Sequence, residues 1–271
     1  MASAFEDYQS RYKHIAMRRI DGILEMRLHT DGGPLVWGGA PHDELSHAFY
    51  DVARDQGNRC VILTGTGDTF CVPVGHNEPR DTPRTKPRTA RIKWDPLYSD
   101  ARYLLTNLMN IEVPVIAAIN GPVTVHADLP LLCDIVLAAD TTNIQDAQHF
   151  ANLMVPGDGI HVIWPMLIGP NRARYFLLTA QVLSAAEAYQ LGLVAEVMPL
   201  QDLEERAWEI ARGIAAKPPT LVRGTRAVLT QNIKRALLDD LSYGLAVEAL
   251  AALQAEPNLW DLTSDKRTAA E

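Results

Sequence analysis

The sequence predicts an α/β fold with a sheet covered on both faces, and three observations predict it. Short runs that are apolar throughout, Arg59 to Thr64, Pro114 to Asn120 and Asp134 to Ala139, have the length of strands buried on both sides. Helix-spaced apolar residues lie between such runs, as with Leu45, Phe49 and Val52 in the stretch His42 to Asp55. From Leu203 almost to Leu253 the pattern is helical, so the last third reads as a helical module. The 271 residues, 47% hydrophobic and 21% charged, suffice for one large core with a smaller helical appendage.

Ile15 to His29 opens the chain as a hairpin, because apolar and β-branched residues flank Asp21-Gly22, a dipeptide suited to a tight turn. The helix over His42 to Asp55 and the strand over Arg59 to Thr64 begin a strand, helix, strand alternation. Residues 73 to 100 carry Pro73, Pro79, Pro83, Pro87 and Pro96 with the cations Arg80, Arg84, Lys86, Arg88, Arg91 and Lys93. Proline has no N–H and clashes within a helix, so this segment is expected to be neither a regular helix nor a central strand. It is a surface loop, a lid or a phosphate-binding flap. Asp100 to Met109 is amphipathic, and the strands Pro114 to Asn120 and Asp134 to Ala139 bracket a turn and a short helix. A helix is expected from Ala173 to Leu191, stopped at Gly192, then a strand over Val194 to Met198 and a polar tail over Thr263 to Glu271.

The 33 acidic against 25 basic residues leave a net charge of −8, and the pI is near 5.5, which argues against nucleic acid or an anionic membrane as partner. No apolar run is long enough to span a bilayer, and Cys60, Cys71 and Cys133 form neither a disulfide framework nor a zinc spacing. A soluble, cytoplasmic protein is expected. GxGxxG, Walker, GxSxG and HExxH patterns are absent, so nicotinamide binding, nucleotide hydrolysis and the common serine and zinc hydrolase chemistries have no direct support.

Histidines remain. His14, His29 and His47 suit surface or packing roles, and His76 falls in the basic loop. His126 and His149 each follow a buried strand, where α/β folds place ligand crevices. Asp158, in Pro156-Gly157-Asp158-Gly159, is a carboxylate able to hold an imidazole in one tautomer. Metal binding by His126, His149 and Asp158 is the competing explanation, although the chain has no helical HxxxH pair.

Val61 to Phe70, Ile111 to Pro122, Cys133 to Ala139, Val155 to Gly159, Leu178 to Val194 and the helix Leu203 to Lys217 resemble, in order and spacing, the crotonase or enoyl-CoA hydratase/isomerase superfamily. The resemblance covers roughly residues 12 to 255. It implies a spiral of ββα units over residues 12–200, with a C-terminal helical region over 201–260 that forms a homotrimer or dimer of trimers. The departures are specific. Cys71-Val72-Pro73-Val74-Gly75 stands where Ala-Gly-Ala-Asp is usual, Asn120-Gly121-Pro122-Val123-Thr124-Val125-His126-Ala127-Asp128 replaces a triple glycine and Glu, and His149 stands where the family has a second Glu.

One branch matches these departures: the sequence resembles 6-oxocamphor hydrolase and related β-diketone hydrolases. The likeness runs through Leu35-Val36-Trp37 with His42-Asp43-Glu44-Leu45, then Gln145-Asp146 with His149-Phe150, His161-Val162 with Trp164-Pro165, and Leu241-Ser242 with Gly244-Leu245-Ala246 and Glu248. It implies cofactor-free retro-Claisen cleavage of a diketone. His149 would activate water with Asp158 orienting its ring, and His126 and Trp37 would hold the carbonyl that becomes the enolate. Either His126 or His42 would return the proton, Glu248 would reach an imidazole, and Trp37, Phe150 and Trp164 would line the pocket. A CoA-thioester hydratase, isomerase or hydrolase, with the basic loop meeting the CoA phosphates, is the alternative. A catalytically silent assembly subunit is the third.

Overall fold

The computed structural model describes residues 4–73 and 94–254. After a single turn, α1 (Phe5–Tyr8), the hairpin forms as β1 (Ile15–Ile20) and β2 (Ile23–Leu28). Asp21 and Gly22 both have positive φ, 51° and 80°, which is the backbone that matches the right-handed twist of paired strands. Then follow β3 (Leu35–Trp37), α2 (Gly39–Arg54), β4 (Cys60–Thr64), β5 (Cys71–Pro73), α3 (Trp94–Asn110), β6 (Val115–Ile119), α4 (Asp128–Leu131), β7 (Ile135–Ala139) and β8 (Asn143–Ile144). A 3-10 turn, Phe150–Asn152, leads to α5 (Ile160–Ile168), α6 (Pro170–Thr179), β9 (Leu183–Ser184), α7 (Ala185–Gln190), β10 (Glu196–Met198), α8 (Leu200–Ala215) and α9 (Pro219–Gln254).

The main sheet has the order β1-β2-β4-β6-β7-β10, antiparallel only at the β1–β2 hairpin. A second layer steps in the same order. β3 pairs with β5, Cys71 of β5 bridges Val123, Val123 bridges Ile144 of β8, and β8 pairs with β9. Each turn of the chain thus contributes one strand to the main sheet, one short strand or bridge to the second layer, and a helix.

Alternation along the strands makes two cores. Val61, Leu63, Ala117 and Ile119 join the large core between the layers. Cys60, Ile62, Ile116 and Ala118 face the other way, onto Leu203, Ala207, Trp208 and Ala211 of α8. The all-apolar strands follow from this two-sided burial. α9 packs on α3 and α5 through Leu237, Leu241 and Leu245.

Two expectations are corrected. Helix α3 begins at Trp94 and not at Asp100, and includes Pro96 in its first turn, where the missing N–H has no helical acceptor to lose. The single helix over Ala173 to Leu191 is two helices and a strand. Ala180 turns left-handed, with φ 50° and ψ 41°, Leu183–Ser184 pair with β8, and Ser184 restarts the chain by capping α7 reciprocally with Glu187. The helical pattern beyond Leu203 likewise divides into α8 and α9, either side of Pro218. Residues 74–93, with His76 and the cations Arg80 to Lys93, and the tail 263–271 lie outside the described residues.

Candidate active site

The second layer positions the histidines. Trp37 ends β3, opposite Pro73 of β5, and His42 lies in the first turn of α2 just beyond it. Three residues past the Val123 bridge, His126 has a φ of 49°, in the left-handed region that a non-glycine residue rarely adopts. His149 follows β8 and immediately precedes the 3-10 turn.

These elements bring the rings together. The Trp37 and His126 rings have centroids 4.1 Å apart, and His42 stands edge-on to both, at 5.6 Å and 5.9 Å. Asp158 joins the two catalytic candidates: its Oδ2 is 3.2 Å from Nε2 of His149 and 3.7 Å from Nε2 of His126. Glu248 completes the group from α9, with ligating atoms of His149, Asp158 and Glu248 all within 4.8 Å of one another. His126, His149, Asp158 and Glu248 are all buried.

A pair of glycines allows α9 to come this close. A Cβ on Gly157 would overlap the carbonyl oxygen of Gly244 and crowd Glu248, and a Cβ on Gly244 would strike the His161 ring. Backbone contact between Gly157 and Gly244 therefore sets Asp158 beside Glu248, one turn further along the helix.

The ring of His149 is oriented differently from expectation. Its Nδ1 is bonded to Oδ1 of Asp146 at 2.8 Å, so Asp146 fixes the ring, and Asp158 faces the other nitrogen. Nε2 is close to Asp158 but not aligned for a hydrogen bond, and among the described residues it has no other partner. Asp146 stood in the matched sequence without a role; only folding of the 145–149 turn, which also directs the backbone N–H of His149 at Asp146 Oδ1, reveals one. Asp128 was missed likewise. It is fully buried, with Oδ1 3.3 Å from Nδ1 of His126.

Two expected pocket residues differ in their settings. Trp164 is fully buried and stacked on Phe176, with centroids 3.8 Å apart and planes inclined 16°, inside the large core. Phe150 is 52% exposed. Asn120 serves the loop over 65–69, since its Oδ1 accepts from Gly65 N and its Nδ2 donates to Gly67 O and Thr69 O.

Burial sets the protonation pattern and charge modifies it. Burial alone would strip the proton from His149, but the Asp158 charge and the Asp146 bond hold its pKa well above the usual value. Asp158 is buried too, yet His149 and His126 keep its carboxyl well below the carboxylate range. Glu248 is pushed up to about 8 by burial and by the Asp158 charge. His42 is pushed down to about 4, by burial and by the neighbouring His126. Ligating atoms of His149, Asp158 and Glu248 are spaced as a small cation would need, and the proton held on His149 would have to leave before that ring could ligate one.

The enoyl-CoA hydratase/isomerase family matches residues 40–250. YngF of Bacillus subtilis (strain 168), which carries an enoyl-CoA hydratase/isomerase assignment, is 32% identical over 228 residues, 82% of this chain and 80% of YngF. The 4-chlorobenzoyl coenzyme A dehalogenase-1 of Arthrobacter sp. is 30% identical over 77% of this chain and 74% of its own length. Among solved structures, a β-diketone hydrolase from the cyanobacterium Anabaena sp. PCC 7120, bound to (S)-3-oxocyclohexyl acetic acid, superposes with a TM-score of 0.85 at 43% identity, over 92% of this chain and 97% of that one. The chain belongs to the enoyl-CoA hydratase/isomerase family and has its crotonase fold.

Proposed function

We propose that this enzyme hydrolyses the C–C bond between the carbonyls of a cyclic or bicyclic β-diketone by a retro-Claisen route, giving a keto acid. The observation that carries this reading is the imidazole of His149 set between two carboxylates, with Nε2 free of any aligned partner among the described residues, on the same carboxylate as His126. The 43% identity to the Anabaena β-diketone hydrolase supports the same reading.

In this scheme the neutral form of His149 takes a proton from water at Nε2, and Asp146 and Asp158 stabilise the imidazolium that forms. The hydroxide oxygen bonds to one ketone carbon. The tetrahedral adduct then breaks the bond to the central carbon, whose electron pair becomes the enolate of the second ketone. His126 and the indole N–H of Trp37 hold that enolate oxygen; each preorganised donor of this type is worth about 3 to 4 kcal/mol. A proton returned to carbon by His126 completes the keto acid; His42, held neutral by burial and by His126, is the weaker candidate for that step. No cofactor takes part in any step. Glu248, pushed up to about 8, is neutral at neutral pH and adds no further anion beside Asp158. Leu221, Val228, Leu229, Leu238 and Tyr243 are exposed on α9, which supports assembly of the helical region 201–260 into a homotrimer or dimer of trimers.

The second reading is a CoA-thioester hydratase, isomerase or hydrolase, favoured by the dehalogenase and by YngF. Incubation with a panel of cyclic and bicyclic β-diketones in the absence of CoA, followed by loss of enol absorbance, separates the two. Turnover to a keto acid by the wild type and not by His149→Ala is the expected result. Inert diketones together with tight CoA-thioester binding would select the second reading.

A further inference from the structure

Beside the His149 dyad lies a second imidazole and carboxyl pair, His126 with Asp128, whose carboxyl the scheme above leaves without a function. Asp128 opens α4 with its side chain wholly buried, and neither of its oxygens has an aligned hydrogen-bond partner among the described residues. Nδ1 of His126, itself buried and, among the described residues, otherwise unpartnered, lies 3.3 Å from its Oδ1. An isolated buried carboxyl costs stability, so its placement on the ring nitrogen that faces away from Asp158 needs a reason.

We propose that Asp128 is a positioning residue for His126, holding a proton at Nδ1 of the ring so that Nε2 is an N–H donor when the enolate oxygen forms. The inference rests on the diketone reading for what Nε2 meets, but not for the proton arrangement itself. When two protons are shared by the pair, they sit either as imidazolium with carboxylate or as imidazole with carboxylic acid. In both arrangements Nε2 carries hydrogen. Burial raises the Asp128 carboxyl, while Asp128 in turn raises His126 against its own desolvation, so the pair retains its protons.

The other groups facing His126 agree with a donor at Nε2. Asp158 Oδ2 is 3.7 Å from that nitrogen, and the Gln148 carboxamide, 3.4 Å away, accepts through its oxygen when the ring donates. His149 opposes positive charge on the ring, His42 is itself held neutral, and Glu248 and the buried Cys71 thiol are both pushed up and neutral. Among the described residues, Asp158 is therefore the anion on the Nε2 side, and Asp128 is the group on the Nδ1 side.

The test compares Asp128→Leu, an apolar residue of similar size, with Asp128→Asn, whose amide can donate to Nδ1 and keep the hydrogen at Nε2. Nitrogen NMR of histidine-labelled protein, without substrate, is expected to show a protonated His126 Nε2 in the wild type and in Asp128→Asn, and its loss in Asp128→Leu. With a diketone, Asp128→Leu is expected to lower kcat more than tenfold with KM little changed, less than the roughly 100- to 1,000-fold of a deleted oxyanion donor, and Asp128→Asn to recover most of it. A purely structural carboxyl would leave kcat intact in the Leu variant, whose melting temperature should rise. An unprotonated Nε2 in the wild type, or a protonated one in Asp128→Leu, would overturn the assignment. Because the NMR measurement needs no diketone, an inert diketone panel with the expected spectra would sink the proposed reaction and leave the Asp128 pairing standing.

Discussion

Glu25 and Asp158 are both buried carboxylates, 2% and 4% exposed, yet their surroundings leave different atoms unpaired. Glu25, on β2, accepts from Arg27 at one oxygen, and from Arg18 at 2.7 Å and the Trp208 indole N–H at 2.9 Å at the other. Burial would raise its pKa, but those bonds hold it below the ordinary value. Arg18 and Arg27 reach on to Glu204, so the network ties the opening hairpin to α8. Around Asp158, by contrast, atoms of Asp128, Asp146, His149 and Glu248 are buried without an aligned partner among the described residues. A saturated network lowers the energy of the fold, while an unsaturated one raises it and is kept where a reacting molecule supplies the missing bonds. A surface groove of about 390 Å³ is lined by Glu25 and another of about 370 Å³ by its partner Trp208, but Arg18 and Glu204, which line both, are already paired with each other. Size of a hollow is a poorer guide here than the state of its polar atoms.

The largest effects should divide the two regions cleanly. His149→Ala is expected to lower diketone turnover by about 100- to 10,000-fold with the melting temperature nearly unchanged. Glu25→Ala should do the reverse. It strands the Trp208 N–H and costs about 1 to 3 kcal/mol in denaturant unfolding, with turnover close to wild type. A Glu25 variant that loses turnover without losing stability would break the contrast.

The pH dependence sharpens it. Since His149 must be neutral to accept a proton and its pKa is raised by Asp158 and Asp146, kcat/KM should climb with pH, about tenfold per unit, until that group deprotonates. The acid limb is therefore expected above the ordinary histidine value of 6.5, and a limb at or below it would contradict the charge arrangement.

Glu248→Gln should give the smallest change in turnover, and should show instead in the pH dependence of stability. With its folded pKa raised from 4.5 to about 8, Glu248 contributes stability that is present in full below its unfolded pKa and lost as pH rises through about 8. The Gln variant lacks this dependence. Urea unfolding at about pH 5 and about pH 9 should show the wild type losing ground to the variant as pH rises; parallel curves would place Glu248 in a more solvated setting.

Local chemistry made much of the fold legible. Asp21-Gly22 predicts its turn because the twist of paired strands demands positive φ, and the strands over residues 60–64, 115–119 and 135–139 show themselves because burial on both faces leaves no polar position. The strands β3, β5, β8 and β9 escaped notice, being two or three residues long and held by partners distant in sequence. Ala180 broke a helix that its periodicity favoured, because the Leu183–Ser184 pairing with β8 outweighs helical propensity over so short a stretch.

For the site, the residue types and their order along the chain determined the cast: His42, His126, His149, Asp158 and Glu248 stand out as ionisable groups near strand ends or matched positions, and the structure gathers all of them around Trp37 and Asp158. Tertiary structure alone decided the pairings. Which carboxylate meets which ring nitrogen depends on backbone torsions such as the left-handed φ at His126, and on the close approach of Gly157 to Gly244, neither of which leaves a periodic trace in sequence. The same is true of Trp164, whose stacking on Phe176 places it in the core: an aromatic residue has one sequence signature for a pocket wall and for packing, and the side on which its helix is buried makes the choice.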